Sequence, residues 1–261
     1  MNKTISFFFF FILGFSVYYF VDLFYFKSIQ IFVKELSGSK AVAHVAAYCI
    51  TMLPLIITLK IIFPEKNITT LFSINKPILK GFSIAFMGTL PMLAGYFIYF
   101  KLVQSISFQS LFINSISSPF FEELIFRAFL IGILYRFTRL GFITSALFGS
   151  LLFAHVHLYQ GSSFTEFTEI FLITFLGSVF FSWVYFETDF NLWTAIFLHL
   201  FMNLYWEIFS VSENVSGNMY GNLFKILSIL LIITLVIYNK RRNKIPFQIT
   251  GKNLFIKTRQ T

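Results

Sequence analysis

The sequence predicts an all-α, polytopic membrane helix bundle of about eight transmembrane helices, and three observations carry that expectation. Hydrophobic residues fill 57% of the 261 positions and charged residues only 12%, about half the share usual in soluble domains. Mean hydropathy is +0.79. Apolar runs near twenty residues, the length that crosses a ~30 Å hydrocarbon core, recur along the chain. In such a chain the net charge of +9 reads as membrane orientation rather than nucleic-acid binding, because its largest cluster, Lys240, Arg241, Arg242 and Lys244, follows the last apolar run. The forty phenylalanines read as lipid-facing and packing surface.

Taken in order, the first span is 5–26, with Asp22 near its end and no small-residue cleavage site, so it is expected to be retained. Lys27, Lys34 and Lys40 mark a connecting loop. The second span, 41–63, holds His44, Pro54 and Lys60, and Cys49 within it has no intrachain partner and reads as a buried, inert thiol. A polar linker, PEKNITTLFSINKP, leads to a third span at 78–100, where Gly81, Gly88, Pro91 and Gly95 permit close helix approach or a bend. The apolar pattern from 102 to 137 is too long for one crossing. Pro119 is the natural break, giving an interfacial helix at 102–116 and a fourth span at 117–136. Spans five to eight follow at 141–160, 166–186, 190–209 and 221–238. Lysine and arginine placement puts both termini in the cytoplasm of a multi-pass cell-membrane protein, leaving only Lys27, Lys34, Lys40, Lys101 and Lys225 outside.

The fourth span, SSPFFEELIFRAFLIGILYR, sets two carboxylates and a guanidinium in an otherwise apolar run. Each such group costs roughly 2.5 to 3.5 kcal/mol at a membrane-helix centre, so they need partners or a task. Glu123 and Arg127 stand four residues apart with the acid first, the favourable order for pairing. Glu122 is rotated about 100° from Glu123 and is left as the free acid. With Ser118 as cap and Pro119 in the first turn, Glu122 falls near a helix N-terminus.

Other polar groups share faces on later spans. Phe153 and His157 stand four apart, whereas His155 points nearly the opposite way; His199 and Asn203 again stand four apart. The start of the fourth span, the end of the fifth and the later half of the seventh lie at similar depth, so topology allows Glu122, His157, His199 and Asn203 to meet. His44, Asp22, His155 and Glu207 are expected to hydrogen-bond locally or reach water. No H-E-x-x-H zinc motif and no G-x-S-x-G elbow occurs. With only Asp22 and Asp189 in the chain, an aspartyl pair is improbable, while a proton relay for transport stays open.

The motifs E-E-x-x-x-R (Glu122, Glu123, Arg127), F-x-x-x-H (Phe153, His157) and H-x-x-x-N (His199, Asn203) together resemble the CPBP family of intramembrane proteases. That family unites type II CAAX prenyl endopeptidases with bacterial Abi and bacteriocin-processing or self-immunity proteins. The resemblance covers about 117–209, the flanking spans matching only in being apolar, and the chain is expected to divide into N-terminal transmembrane helices and linkers at 1–110, a CPBP-like catalytic bundle at 111–239 and a basic cytoplasmic tail at 240–261. The resemblance implies an endopeptidase for a leader, CAAX-type or membrane-associated peptide, with Glu122 activating water and His157 assisting. It further implies that His199 and Asn203 stabilise the oxyanion, and that Glu123 and Arg127 hold the helix. The same constellation can be drawn as a zinc site of two histidines and a glutamate, and both versions stay open; neither histidine has an identifiable supporting carboxylate in the sequence. The implied partners are a peptide or protein substrate and the lipid bilayer, with no nucleic acid. A nonproteolytic immunity or binding protein on the same scaffold is the alternative.

Overall fold

The computed structural model describes residues 3–257. The described residues are helical, apart from connections and one isolated antiparallel bridge between Leu140 and Ile256. Six helices are long and apolar enough to cross a membrane: Lys3–Ser37, Lys40–Ile62, Ile78–Tyr99, Phe142–Gln160, Phe164–Glu187 and Met219–Arg242. A composite rod over 108–137 and the shorter α11, Leu192–Ile208, complete the expected set.

Helix α1, Lys3–Ser37, runs well past the expected end at 26, because nothing from Lys27 to Ser37 breaks a helix. It stops only at Gly38, whose φ of +69° suits the residue just past a helix end. The second crossing is split into α2, Lys40–Thr51, and α3, Leu53–Ile62, at Met52, with Pro54 in the first turn of α3. Cys49 is exposed on the outer face of α2, so the expectation of a buried thiol was wrong. After α4, Ile68–Leu71, α5, Ile78–Tyr99, packs against both α11 and α12, Met219–Arg242. Close approach there depends on missing side chains: a Cβ at Gly81 would lie 2.7 Å from the Thr194 backbone nitrogen, and one at Gly88 would lie 2.1 Å from Ile232.

The centre of the bundle is the rod, made of α6 (Phe108–Phe112), a π-helical turn (Ile113–Ser117), α7 (Ser118–Glu122), a second π-helical stretch (Glu123–Ile133) and α8 (Leu134–Phe137). Every residue of Glu123–Ile133 is buried. A helix apolar all round belongs inside a bundle, and this one is encircled by α9 (Phe142–Val156), α10 (Phe164–Glu187), α11 and α1.

Pro119 does not break the rod, which corrects the expectation of an interfacial helix ending at 116. The helix is capped at Ser107, whose side chain accepts from the Ser110 amide, and Ser118 is helical. Glu122 therefore lies deep in a continuous rod rather than in a first turn, and the helix-dipole argument does not apply. The preceding π turn makes room for the proline. The Ser118 amide reaches back to the Ile113 carbonyl, five residues away, so the next carbonyl, that of Asn114, would need the amide of residue 119, which proline lacks. Asn203 supplies the missing donor: its Nδ2 donates to the Asn114 carbonyl at 3.0 Å.

The basic segment after α12 folds back on the bundle. Tyr135 donates to the Gln248 carbonyl, Gly141 N donates to Phe255 O, and Lys257 N donates to Arg139 O. Lys240 is buried and paired with Glu187 at 2.9 Å, with Asp189 at 3.8 Å.

Candidate active site

Three helices bring the free acid and two imidazoles together. Glu122 comes from the rod, His157 from the residue just past the end of α9, and His199 from the middle of α11. Glu122 Oε2 lies 3.9 Å from Nε2 of His157 and 3.9 Å from Nε2 of His199. These contacts are too long to be direct hydrogen bonds. Among the described residues, that buried oxygen has no hydrogen-bond partner. The side chain as a whole is 18% exposed, so the pocket opens.

Each imidazole is oriented from behind. His157 Nδ1 is 2.7 Å from the Phe153 carbonyl oxygen, the consequence of their four-residue spacing. His199 Nδ1 is 2.8 Å from Glu123 Oε1. Both Nδ1 atoms thus face acceptors, which fixes both rings with Nε2 towards Glu122. The sequence reading found no supporting carboxylate for either histidine; Glu123 fills that place for His199. The partner sits on another helix, where residue spacing says nothing.

The adjacent glutamates therefore differ in job. Glu123 is fully buried, with its second oxygen 3.2 Å from Arg127 Nε, the expected pair at i,i+4. Their contact lacks hydrogen-bond geometry, and among the described residues Arg127 Nε and Nη1 have no hydrogen-bond partner. Arg127 instead lies 4.1 Å from the centre of the Phe153 ring and 5.4 Å from that of Phe181. Those ring faces carry part of its charge by cation–π attraction. Phe181 on α10 also meets the His199 ring edge-on at 5.6 Å. Sequence reasoning missed Phe181 because it is one phenylalanine among forty.

The first π turn is held from both sides. His44 Nδ1 is 2.9 Å from Ser117 Oγ on one flank. On the other, Asn114 Nδ2 and Ser115 Oγ donate to the Glu207 carboxylate at 3.2 and 3.5 Å, beside the Asn203 contact. His44 and Glu207 hydrogen-bond across helices, as does Asp22, which accepts from Thr51 at 3.0 Å. His155 is exposed, away from the pocket. Of the four residues expected to meet, Asn203 is the one with no contact shown to the other three; one of its amide N–H groups is given to the rod.

Two imidazole nitrogens and a carboxylate oxygen are donors that suit zinc. Their spacing is looser than a zinc site, where neighbouring ligand atoms stand about 3.3 Å apart at the usual bond lengths. No group of three or more His, Cys, Asp or Glu among the described residues is placed to hold a metal.

Fold and site together define a polytopic helical membrane protein with a carboxylate and two oriented imidazoles facing each other inside the bundle. Residues 104–205 match the family model described as type II CAAX prenyl endopeptidase Rce1-like, in agreement with the resemblance carried by the three motifs. The matched stretch takes in Glu122, Glu123, Arg127, His157, His199 and Asn203. That family points to a protease with a peptide substrate at the membrane. Comparison with curated proteins and with solved structures gave no match.

Proposed function

We propose that this chain is an intramembrane endopeptidase in which Glu122 is the general base. One observation carries the reading: an unpartnered carboxylate oxygen faced at equal distance by two imidazole nitrogens whose rings are held from behind. The nucleophile of this reading is a water held between the carboxylate and the two imidazoles. Glu122 Oε2 takes a proton from that water as its oxygen attacks the scissile carbonyl carbon, then returns the proton to the leaving amine. His157 Nε2 holds the water's second hydrogen. His199 in its doubly protonated form, held by Glu123 through Nδ1–H as in carboxylate–histidine dyads, donates a hydrogen bond from Nε2–H to the developing oxyanion and keeps its proton as the intermediate collapses. Low dielectric around the pocket strengthens each of these interactions relative to water.

Glu123 and Arg127 act as positioning residues. Asn203, spent on the Asn114 carbonyl through one N–H, stabilises the oxyanion only through its other N–H, and its main work is to support the rod. Glu122→Gln is expected to lower peptide cleavage by purified, reconstituted protein by about 100- to 10,000-fold, the usual range for a lost general base. Its thermal midpoint in detergent should be unchanged. Cleavage within tenfold of the native rate would remove Glu122 from the mechanism.

A further inference from the structure

One end of the bundle, where α1 begins, α3 finishes and α9 starts, is rich in cations, among them Lys3, Lys66, Arg136, Arg139, Arg241 and Lys244. Such an excess orients a membrane protein and by itself makes no site. Three of these residues, Lys3, Arg136 and Arg139, differ from the rest in lining one groove of about 1130 Å³ between α1, α3 and the end of the rod. That is more room than the ~300–1,000 Å³ of ordinary small-molecule sites.

The charge in this groove is uncompensated. None of the ion pairs among the described residues includes Lys3, Arg136 or Arg139. Arg136 is fixed by neutral oxygens: Nη1 donates to the Leu71 carbonyl at 2.8 Å and to Ser73 Oγ at 2.7 Å, and Nη2 donates to the Thr70 carbonyl at 3.0 Å. Lys3 and Arg139 are exposed. Glu65, on the connection after α3, is exposed and outside the lining. A smaller groove between α5 and α12, about 340 Å³, is different, because its Lys80 is answered by Asp189 at 3.9 Å.

Beneath the cations the groove is aromatic. Phe7, Phe63 and Phe137 form a continuous row, with ring centres 6.1 and 4.5 Å apart, and Lys66 lies 5.6 Å from the centre of the Phe137 ring. Ile61 on the wall and Phe9 beside it are exposed, so the groove runs from charge into the lipid-facing surface of α1 and α3.

We propose that this groove binds an anionic phospholipid, with the phosphate among Lys3, Arg136 and Arg139 and the start of the acyl chains over Phe7, Phe63 and Phe137. Basic pockets between membrane helices suit anionic head groups, and guanidinium forks match phosphate oxygens. A soluble phosphate leaves the aromatic row uncovered, and a neutral lipid leaves the cations unanswered. The bound lipid ties α1 and α3 to the rod, on which Phe11 of α1 already stacks through Phe129 at 4.9 Å.

Native mass spectrometry of the full chain, released from neutral detergent with dioleoylphosphatidylglycerol or dioleoylphosphatidylcholine added, reads the binding. Phosphatidylglycerol should be retained in preference to phosphatidylcholine. Lys3→Gln combined with Arg139→Gln should weaken that retention by about 30-fold, about fivefold for each cation. Both side chains are exposed, and Arg139 meets Lys257 through its backbone, so the changes leave the fold intact. Arg241→Gln combined with Lys244→Gln removes the same charge from this end outside the groove and should change retention by less than about twofold. Equal losses in the two double variants, equal retention of the two lipids, or displacement of the lipid by glycerol 3-phosphate at equal concentration would each overturn the proposal. A second arm leaves the charges untouched: the fluorescence added by Phe63→Trp should be quenched more by phosphatidylglycerol brominated on its acyl chains than by the brominated phosphatidylcholine. Equal quenching by the two lipids overturns the proposal as well.

Discussion

Two carboxylate–cation pairs are buried in this molecule, Glu123–Arg127 beside the pocket and Glu187–Lys240 at the cation-rich end, and their surroundings are opposites. Glu187 is saturated: Lys240 and the Gln248 amide reach one oxygen, the Ile249 amide reaches the other, and Lys240 also donates to the Pro246 carbonyl. Glu123 has one oxygen on His199, and its other oxygen meets Arg127 without a hydrogen bond. Arg127 rests on phenyl rings. A charge satisfied by backbone amides is a lock that fixes chain segments to each other. A charge buffered by ring faces is a support, and it leaves a carboxylate oxygen for an imidazole. Buried polar atoms left without partners are rare and call for an explanation, for which a working pocket is the most direct.

The largest expected effect that separates the two pairs comes from the matched variants Glu123→Gln and Glu187→Gln. Each breaks a buried pair and should cost about 3 to 5 kcal/mol, read as a lowered thermal midpoint in detergent. Only Glu123→Gln should also cut cleavage by the protein still folded, by at least about 100-fold. Equal activity in the two variants would erase the distinction between support and lock. Next in size, Phe181→Leu removes one ring face from Arg127 and the edge contact with His199, a loss of about 1 to 2 kcal/mol. It should lower kcat more than it raises KM, whereas a comparable loss at Phe142, away from the pocket, should leave kcat alone.

The smallest effect is the most discriminating. Asn203→Ala orphans the Asn114 carbonyl and should cost about 1 to 3 kcal/mol of stability. Restoring a donor with Pro119→Ala should make that penalty shrink, a coupling that a double-mutant cycle measures directly. If Asn203 worked on substrate alone, the two substitutions would add.

What the sequence made legible is what lies on one helix. Glu123 with Arg127 and Phe153 with His157 follow from four-residue spacing, and the separate orientation of Glu122 follows from helical rotation. Long-range partners were invisible: Glu123 with His199, Asn203 with the Asn114 carbonyl, and Phe181 beneath Arg127 all join different helices. Pro119 was misread because a proline inside an α-helix removes a hydrogen bond, and the expectation left no place for a π turn with a side-chain donor to absorb the loss. α1 outruns its expected end because Lys27 and Lys34 carry charge without breaking a helix, and only Gly38 changes the backbone.

A turn closed by five-residue bonds holds one more residue than its α counterpart, and the rod has such turns on both sides of Glu122. A sequence one residue shorter in either stretch can rewind locally to α geometry while the rest of the rod keeps its place. Single-residue gaps are therefore to be expected there when remote relatives are aligned with this chain. Correspondence across such a gap is set by the imidazoles that the acids face, and counting from the proline will mislead.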